Sequence, residues 1–317
     1  MRKSENIFKI LCWLSLIVIA GCSERITNKS EHQIVSLMTQ SASLNWTMIN
    51  VDGDAHIIRM KDGKAILIDT GSSSTAESSL IPYIKACSID KIHMVFISHP
   101  HSDHYGGLIP LLFSDISIGS VLFNIPSNSR CDSEPWGCNS KDLEAIQETL
   151  IKLNIPLYNV EAGMNIFLSV DTDLEILYAY NLTNSPVGYI DINDESLIML
   201  LMHKNHRFLF TGDMNYRIGS YLAENGLNLQ ADILKIPHHG TSSLAPNNLF
   251  EKINPQYAIV PSGRELWCSA NSAQTRNWIN EKSITTDISG FHGNTNISIL
   301  NDELMLATQY HNTVICK

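Results

Sequence analysis

Three imidazoles and a carboxylate fall within six residues, at His99, His101, Asp103 and His104 in the run Ser98-His99-Pro100-His101-Ser102-Asp103-His104-Tyr105-Gly106-Gly107. Imidazole nitrogen and carboxylate oxygen are the donors Zn²⁺ prefers, and Mn²⁺ or Fe²⁺ also accept them. Packing alone does not explain so many titratable side chains in so short a stretch, and a solvated polar loop is the weaker reading. An irregular loop after a strand can aim His99 and His101 to one side, and Asp103 and His104 to another. That division suits two metals. The sequence contains no Cys-x-Cys or Cys-x-x-Cys pair for a thiolate zinc site. It also lacks a Gly-x-Ser-x-Gly elbow, so a serine nucleophile of that type is not expected.

The elements that must position the cluster read as one α/β domain. Leu44–Val51, Ala55–Met60 and Ala65–Ile68 are short apolar runs parted by Asp52-Gly53-Asp54 and Lys61-Asp62-Gly63-Lys64, both with hairpin-type turn chemistry. A helix-like stretch around Glu77–Ala86 follows, and Ile92–Ile97 is a strand that ends at the cluster. Gly106-Gly107 opens a short apolar helix to about Phe113, with a strand at Ser120–Ile125. Across Lys141–Leu153, helical spacing puts Leu143, Ile146, Leu150 and Leu153 on one face. The second half repeats the strand theme at Asp173–Tyr178, Ser196–Met202, Arg207–Phe210, Ile233–Ile236 and Tyr257–Val260. Two strand-rich halves with interposed helices predict a layered α/β architecture, helices outside two packed sheets. No repeat of the length that marks solenoids is present.

The cluster resembles the H-x-H-x-D-H motif of the metallo-β-lactamase superfamily, and Ile68-Asp69-Thr70-Gly71 before it resembles that superfamily's first motif. Phe210-Thr211-Gly212-Asp213 resembles the bridging-aspartate motif. The run Asp232-Ile233-Leu234-Lys235-Ile236-Pro237-His238-His239-Gly240-Thr241, with Asn193-Asp194-Glu195-Ser196-Leu197, is most similar to the hydrolase domain of ComEC-type competence proteins and its stand-alone relatives. The likeness runs from about Leu44 to about Leu306. It implies a four-layered αββα sandwich holding two divalent metals, Zn²⁺ before Mn²⁺. Carried over, it gives one metal to His99 and His101 and the other to Asp103 and His104, with Asp213 bridging both and His238 completing the shell. Asp69 would steady the cluster loop from outside. Asp103, Asp213 and His239 would take catalytic roles, His239 by donating a hydrogen bond or proton to the leaving group.

Two departures bear on this set. Many superfamily members place a further ligand histidine between the cluster and the bridging aspartate. Here His203 and His206 flank Lys204-Asn205, a hairpin turn, and are read as surface turn residues. Near Pro261-Ser262-Gly263, where other members carry a ligand histidine, none stands. His238-His239 must then supply what is missing; which of the two ligates stays open, as does whether one or two metals bind. His56 and His93 lie in strands and are read as structural. His292, on the glycine-flanked run Gly290-Phe291-His292-Gly293, is either a plain turn residue or part of the site's mouth. Trp136, one aromatic in the Cys131–Cys138 loop, is a candidate for touching substrate.

The resemblance implies hydrolysis, with a hydroxide held by the metals at neutral pH and the charge that develops on oxygen stabilised by them. The His-His-Gly variant is similar to nuclease-like and phosphorylcholine-esterase-like members, which favours a phosphoester, a phosphodiester first. The alternatives are carbon–oxygen or carbon–nitrogen hydrolysis, as in lactonases or β-lactamases of this fold, and a non-catalytic metal-binding envelope lipoprotein.

The rest of the chain bears on where this chemistry happens. Arg2, Lys3 and Lys9 precede the apolar run Ile10–Ala20, too short for an ordinary spanning helix. It ends Ile19-Ala20-Gly21-Cys22, which resembles a bacterial lipobox and implies cleavage before Cys22 and a lipid on its thiol. The expected organisation is a signal peptide at 1–21, lipidated Cys22 with a polar tether to residue 43, and a hydrolase domain at 44–317. The location would be the periplasmic face of a bacterial membrane, with the membrane as a partner through the lipid. Hydrophobic residues at 44% and charged residues at 17% suffice to fill a core. The formal charge of −10 disfavours nucleic acid as a partner, since that grip needs clustered cations, and favours a small-molecule or envelope phosphoester substrate. With residues 1–21 removed, a segment of net charge +2, the chain would carry −12. Cys131 and Cys138 bracket a turn-rich loop short enough for a disulfide, and are either bridged or two unrelated thiols. Oligomeric state is not encoded in any pattern of the sequence.

Overall fold

The computed structural model describes residues 42–134, 136–241, 246–314 and 316 of the 317-residue chain. The expected signal peptide, Cys22 and the tether as far as residue 41 lie outside the described residues. Among the described residues no helix is long and apolar enough to cross a membrane.

The first half supplies β1 (Leu44–Met48), β2 (His56–Met60), β3 (Ala65–Ile68), β4 (Lys91–Ile92), β5 (Met94–Phe96), β6 (Ser117–Ile118), β7 (Val121–Leu122) and β8 (Leu157–Tyr158). The second supplies β9 (Asn165–Ser169), β10 (Thr172–Tyr178), β11 (Ile198–His203), β12 (His206–Phe210), β13 (Ile233–Lys235), β14 (Tyr257–Val260) and β15 (Thr285–Ile288), closing with β16 (Thr295–Leu300) and β17 (Glu303–Thr308). One sheet runs β17-β16-β1-β2-β3-β5-β7-β8 and the other β15-β14-β13-β12-β11-β10-β9; β4 and β6 form a small separate pair. The last two strands return to the first sheet, pairing Trp46 with Ile297 across β1 and β16.

Alternation along each strand sorts side chains into three cores. Trp46, Ile58, Ile66, Phe96, Met199, Phe208, Phe210 and Ile259 meet between the sheets. Ile57, Leu67, Val95 and Ile97 point outward, onto Leu108, Leu111 and the helix Ser140–Lys152. Leu200, Leu209, Leu234 and Ala258 face the opposite way, onto helices carrying Ile218, Leu222, Leu249 and Trp278. Three apolar interfaces separate four layers, the αββα sandwich the resemblance implies.

Most expected strands are present in shortened form. Leu153 is a departure: it stands just past the helix end at 37% exposure, while Leu143, Ile146 and Leu150 are buried. The hairpin β16–β17 was not foreseen. Asn301 and Asp302 take φ of 51° and 66° at its tip, the left-handed pair that a tight two-residue hairpin turn requires.

The parallel pairings β3–β5 and β12–β13 bring four strand ends to one edge of the sandwich. Asp69 follows β3, Ser98 and His99 follow β5, Asp213 follows β12, and His238 and His239 follow β13. Irregular backbone beyond these ends is where polar side chains can converge without breaking the sheet ladders.

Candidate metal centre

The first-half side of the site is organised around Asp69. Its Oδ1 accepts from the Ser98 amide at 2.7 Å, and its Oδ2 accepts from Ser98 Oγ at 2.8 Å and lies 2.9 Å from His104 Nδ1. A carboxylate takes the ring proton at Nδ1, so the lone pair of His104 stands on Nε2. Thr70 N donates to the carbonyl of His104 at 2.7 Å, tying the end of β3 to the helical turn Ser102–Tyr105 that carries Asp103 and His104. The His99 ring lies tilted against His104, with centroids 4.1 Å apart, and edge-on to His101 at 4.7 Å. The Nε2 atoms of His99, His101 and His104 are buried and have no hydrogen-bond partner. Natural proteins rarely leave such atoms unsatisfied without a functional reason.

The second-half side arrives through backbone that only special residues tolerate. Gly212 has φ of 49°, and a Cβ there would lie 2.5 Å from Ser196 Oγ, the atom that accepts from the Asp213 amide at 2.8 Å. His238 and His239 both sit in the left-handed region, with φ of 47° and 56°. This turn sends the two rings to different places. His239 Nδ1 lies 2.8 Å from the carbonyl of Pro261, and its Nε2 is 3.1 Å from Asp103 Oδ2 and 3.1 Å from Asp213 Oδ2. His238 Nδ1 lies 3.1 Å from Asn215 Oδ1, while Asn215 Nδ2 donates to Asp191 Oδ2 at 2.6 Å. Of the two histidines left open as ligands, His239 stands between the carboxylates, the place the resemblance gave to His238, and His238 turns to Asn215. Among the described residues the donor atoms gather as His99, His104 and Asp213, as Asp103, His104 and His239, and as Asp54, Asp69 and His104.

The electrostatics of this arrangement are one-sided. Both His104 and His239 give their Nδ1 proton to an oxygen and turn Nε2 toward carboxylates, with Asp213 Oδ2 at 3.3 Å from His104 Nε2. Lone pair facing carboxylate is repulsive unless a proton or a cation lies between. Burial pushes both imidazoles down, but Asp213, with Asp69 and Asp103 for His104 and Asp54 for His239, holds them well above the ordinary range. His99 goes the other way, pushed down by burial and by the neighbouring His104 and His101. One divalent cation satisfies several of these atoms at once, and the donors fit such an ion.

Two residues at the heart of the site were missed. Asp54, in the loop before β2, and Lys235, at the end of β13, are both buried and form an ion pair. Lys235 Nζ also donates to the Gly212 carbonyl at 2.6 Å and lies 3.3 Å from Asp213 Oδ1. Burial raises the Asp54 carboxyl, but Lys235 and His239 outweigh it and hold the group far below the usual carboxylate range. The clue in the sequence was Lys235 itself, a lysine within the apolar strand Ile233–Ile236.

The remaining candidates separate cleanly. Cys131 and Cys138 are bridged, closing the loop whose Gly137 accepts from Ser102 N at 2.8 Å and packs on the His101 ring. Trp136, beside Gly137, is 73% exposed. A second bridge, Cys268–Cys316, was not foreseen. His203 is buried, contrary to the surface position expected, because it ends β11 with its ring held by Ser43 Oγ and Thr172 Oγ1 at 2.8 Å each. His206 is half-buried on the carbonyl of Asp302. His56 packs between Trp46 and Phe210, and His93 Nδ1 accepts from the amide of Ala65. His292 is buried, accepting from the Ile288 amide and contacting the carbonyl of Asn312, so it serves the C-terminal segment.

Comparison with known proteins agrees with this geometry. Residues 50–114 match the Metallo-beta-lactamase superfamily. The chain is similar to Recombination protein 2 of Haemophilus influenzae, 25% identical over 271 residues, which are 83% of this chain and 29% of that protein. It is similar also to Competence protein ComA of Neisseria gonorrhoeae, 21% identical over 233 residues, 71% of this chain and 28% of that protein. The chain thus spans less than a third of the length of these curated relatives. Among solved structures, CmlA, a diiron beta-hydroxylase from Streptomyces venezuelae, superposes with a TM-score of 0.54 at 12% identity, covering 81% of this chain and 54% of that one. At that identity the likeness concerns the fold alone.

Proposed function

We propose that this chain is a metal-dependent hydrolase acting on phosphoesters, phosphodiesters first, and that a lipid on Cys22 holds it at the bacterial envelope. The observation that carries the metal is the set of ring nitrogens without proton partners: Nε2 of His99, His101 and His104 are buried and unsatisfied, and Nε2 of His239 faces two carboxylates. His99 and His101 would hold one ion, Asp103, His104 and His239 the other, and Asp213 would lie between them. Bound there, two divalent ions supply Lewis acidity, lowering the pKa of water and offsetting charge on a phosphoryl oxygen.

The protein's own groups do the orienting. Asp69 and the Pro261 carbonyl fix the tautomers of His104 and His239, so neither ring must reorganise. Asn215, itself fixed by Asp191, accepts from His238 Nδ1 and leaves a lone pair on the other ring nitrogen of His238, which would take a proton from the attacking water and return it to the leaving oxygen. Two disulfides in one chain suit an oxidising compartment, which supports the envelope reading. The formal charge of −10 favours a small or envelope-derived diester over nucleic acid.

The test compares hydrolysis of bis-p-nitrophenyl phosphate with that of a chromogenic cephalosporin, for the metal-loaded protein and for Asp213→Ala. Turnover of the phosphodiester that disappears in the variant supports the proposal. Cephalosporin turnover without phosphodiester turnover replaces it with carbon–nitrogen hydrolysis on the same site. Turnover of neither, with metal bound, favours a binding role.

A further inference from the structure

We infer that Lys235 and Asp54 act as an inner clamp on the metal centre, holding Asp213 by one carboxylate oxygen so that only the other faces the ions. This deepens the reading above and rests on it. A lysine at 1% exposure inside a sandwich core is costly to bury, and an apolar side chain would fill the end of β13 more cheaply. Its three contacts show what the ammonium does there. It donates to the carbonyl of Gly212, pairs with Asp54 Oδ2, and takes Asp213 Oδ1 at 3.3 Å. Asp213 Oδ2 is left to face His104 Nε2 at 3.3 Å and His239 Nε2 at 3.1 Å. The clamp reaches His239 as well, because Asp54 Oδ1 lies 3.3 Å from its Nδ1.

The loop that brings Asp54 to this place is tightly built. The Asp54 amide donates to the carbonyl of Asp103 at 3.1 Å, and its carbonyl accepts from the Gly71 amide at 2.6 Å. A Cβ at Gly53, whose φ is 94°, would collide with that Asp103 carbonyl at 1.9 Å. Lys235 from the second sheet and Asp54 from the first thus lock Asp213 and His239 against the cluster loop. His99 and His101 have no contact with the pair, so the clamp governs one of the two ion positions more than the other.

Two physical effects of removing Lys235 oppose each other, which makes the sign informative. By Coulomb's law alone, deleting a cation beside two metals strengthens metal binding. Loss of positioning weakens it, by about 10–100-fold for outer groups that orient ligands. The neighbouring Asp54 already offsets the lysine's charge, so positioning should win.

The experiment is titration of the metal-free full-length protein in detergent with Co²⁺, followed by visible absorption and checked by calorimetry. Lys235→Met, Asp54→Asn and the double variant are compared, with far-ultraviolet circular dichroism as the test of folding. For Lys235→Met we expect the first equivalent to bind as in the parent and the second about tenfold or more weakly, with an altered d–d spectrum. The double variant should be no worse than Lys235→Met, since the two residues act as a unit. Unchanged or tighter binding of both equivalents in folded Lys235→Met overturns the inference. Should that variant not fold, Asp54→Asn decides: weaker second binding supports the clamp, and unchanged or tighter binding overturns it. If the parent takes up no Co²⁺, the metal-centre reading fails instead of the clamp.

Discussion

Asp69 Oδ2 lies 2.9 Å from His104 Nδ1, and this contact joins residues 35 apart in sequence at the base of the metal centre. Both groups are buried, and Ser98 fills the remaining bonding capacity of the carboxylate. The imidazole is therefore oriented before any ligand reaches Nε2. Replacing Asp69 with alanine removes that orientation and leaves His104 free to turn. Metal affinity should fall about 10–100-fold, a loss that equilibrium titration with a competing chelator would read. Unchanged affinity would mean the ring is held by packing alone.

The different surroundings of His238 and His239 give them separate roles in the proposed function, binding for one and catalysis for the other. His239→Ala removes a nitrogen lying 3.1 Å from two carboxylates, so one metal equivalent should be lost. His238→Ala should keep full metal content and lower kcat by about 10²–10⁴-fold, the usual contribution of a positioned general base. Metal analysis on both variants checks this, and the reverse pattern would restore His238 as the ligand.

The Cys131–Cys138 bridge holds Gly137 against His101. A double serine variant should lose roughly 2–3 kcal/mol of stability, the scale for closing so short a loop. Its KM should rise with metal content unchanged, because the loop covers the His101 ring. Equal KM values for the two proteins would place substrate elsewhere.

His56 predicts how stability depends on acid. Burial pushes its imidazole down to about 3, against an ordinary value of 6.5, and Asp54 only partly opposes this. A depressed folded-state pKa favours the neutral ring, so its contribution is complete above about pH 6.5. It is lost as pH falls from there toward about 3. Denaturant melts of the metal-free protein between pH 7 and 4 should show this slope, and His56→Phe should flatten it by about one proton. An unaltered slope in the variant would assign the acid sensitivity to other groups.

The sequence carried the fold and half of the site, and the division has a physical basis. His99 through His104 are contiguous, so their chemistry was visible as a local pattern. Asp213 and the two histidines at 238 and 239 could be placed only by resemblance, since nothing local shows that β12 and β13 end beside β5. The direction each histidine takes depends on two successive residues with positive φ, which ordinary propensities do not predict. Asp54 reads as part of a turn and Lys235 as one position of a longer run, because each gains meaning only from a partner 181 positions away. His203 was misread for the same reason: the hairpin turn was foreseen, but its packing on Ser43 and Thr172 was not.

The most direct test of the account is the metal content of the purified protein, measured by mass spectrometry after exchange into chelator-free buffer and re-addition of Zn²⁺ or Mn²⁺. The geometry predicts about two tightly held divalent ions per chain, and fewer in Asp213→Ala. A folded parent protein that retains none would contradict it.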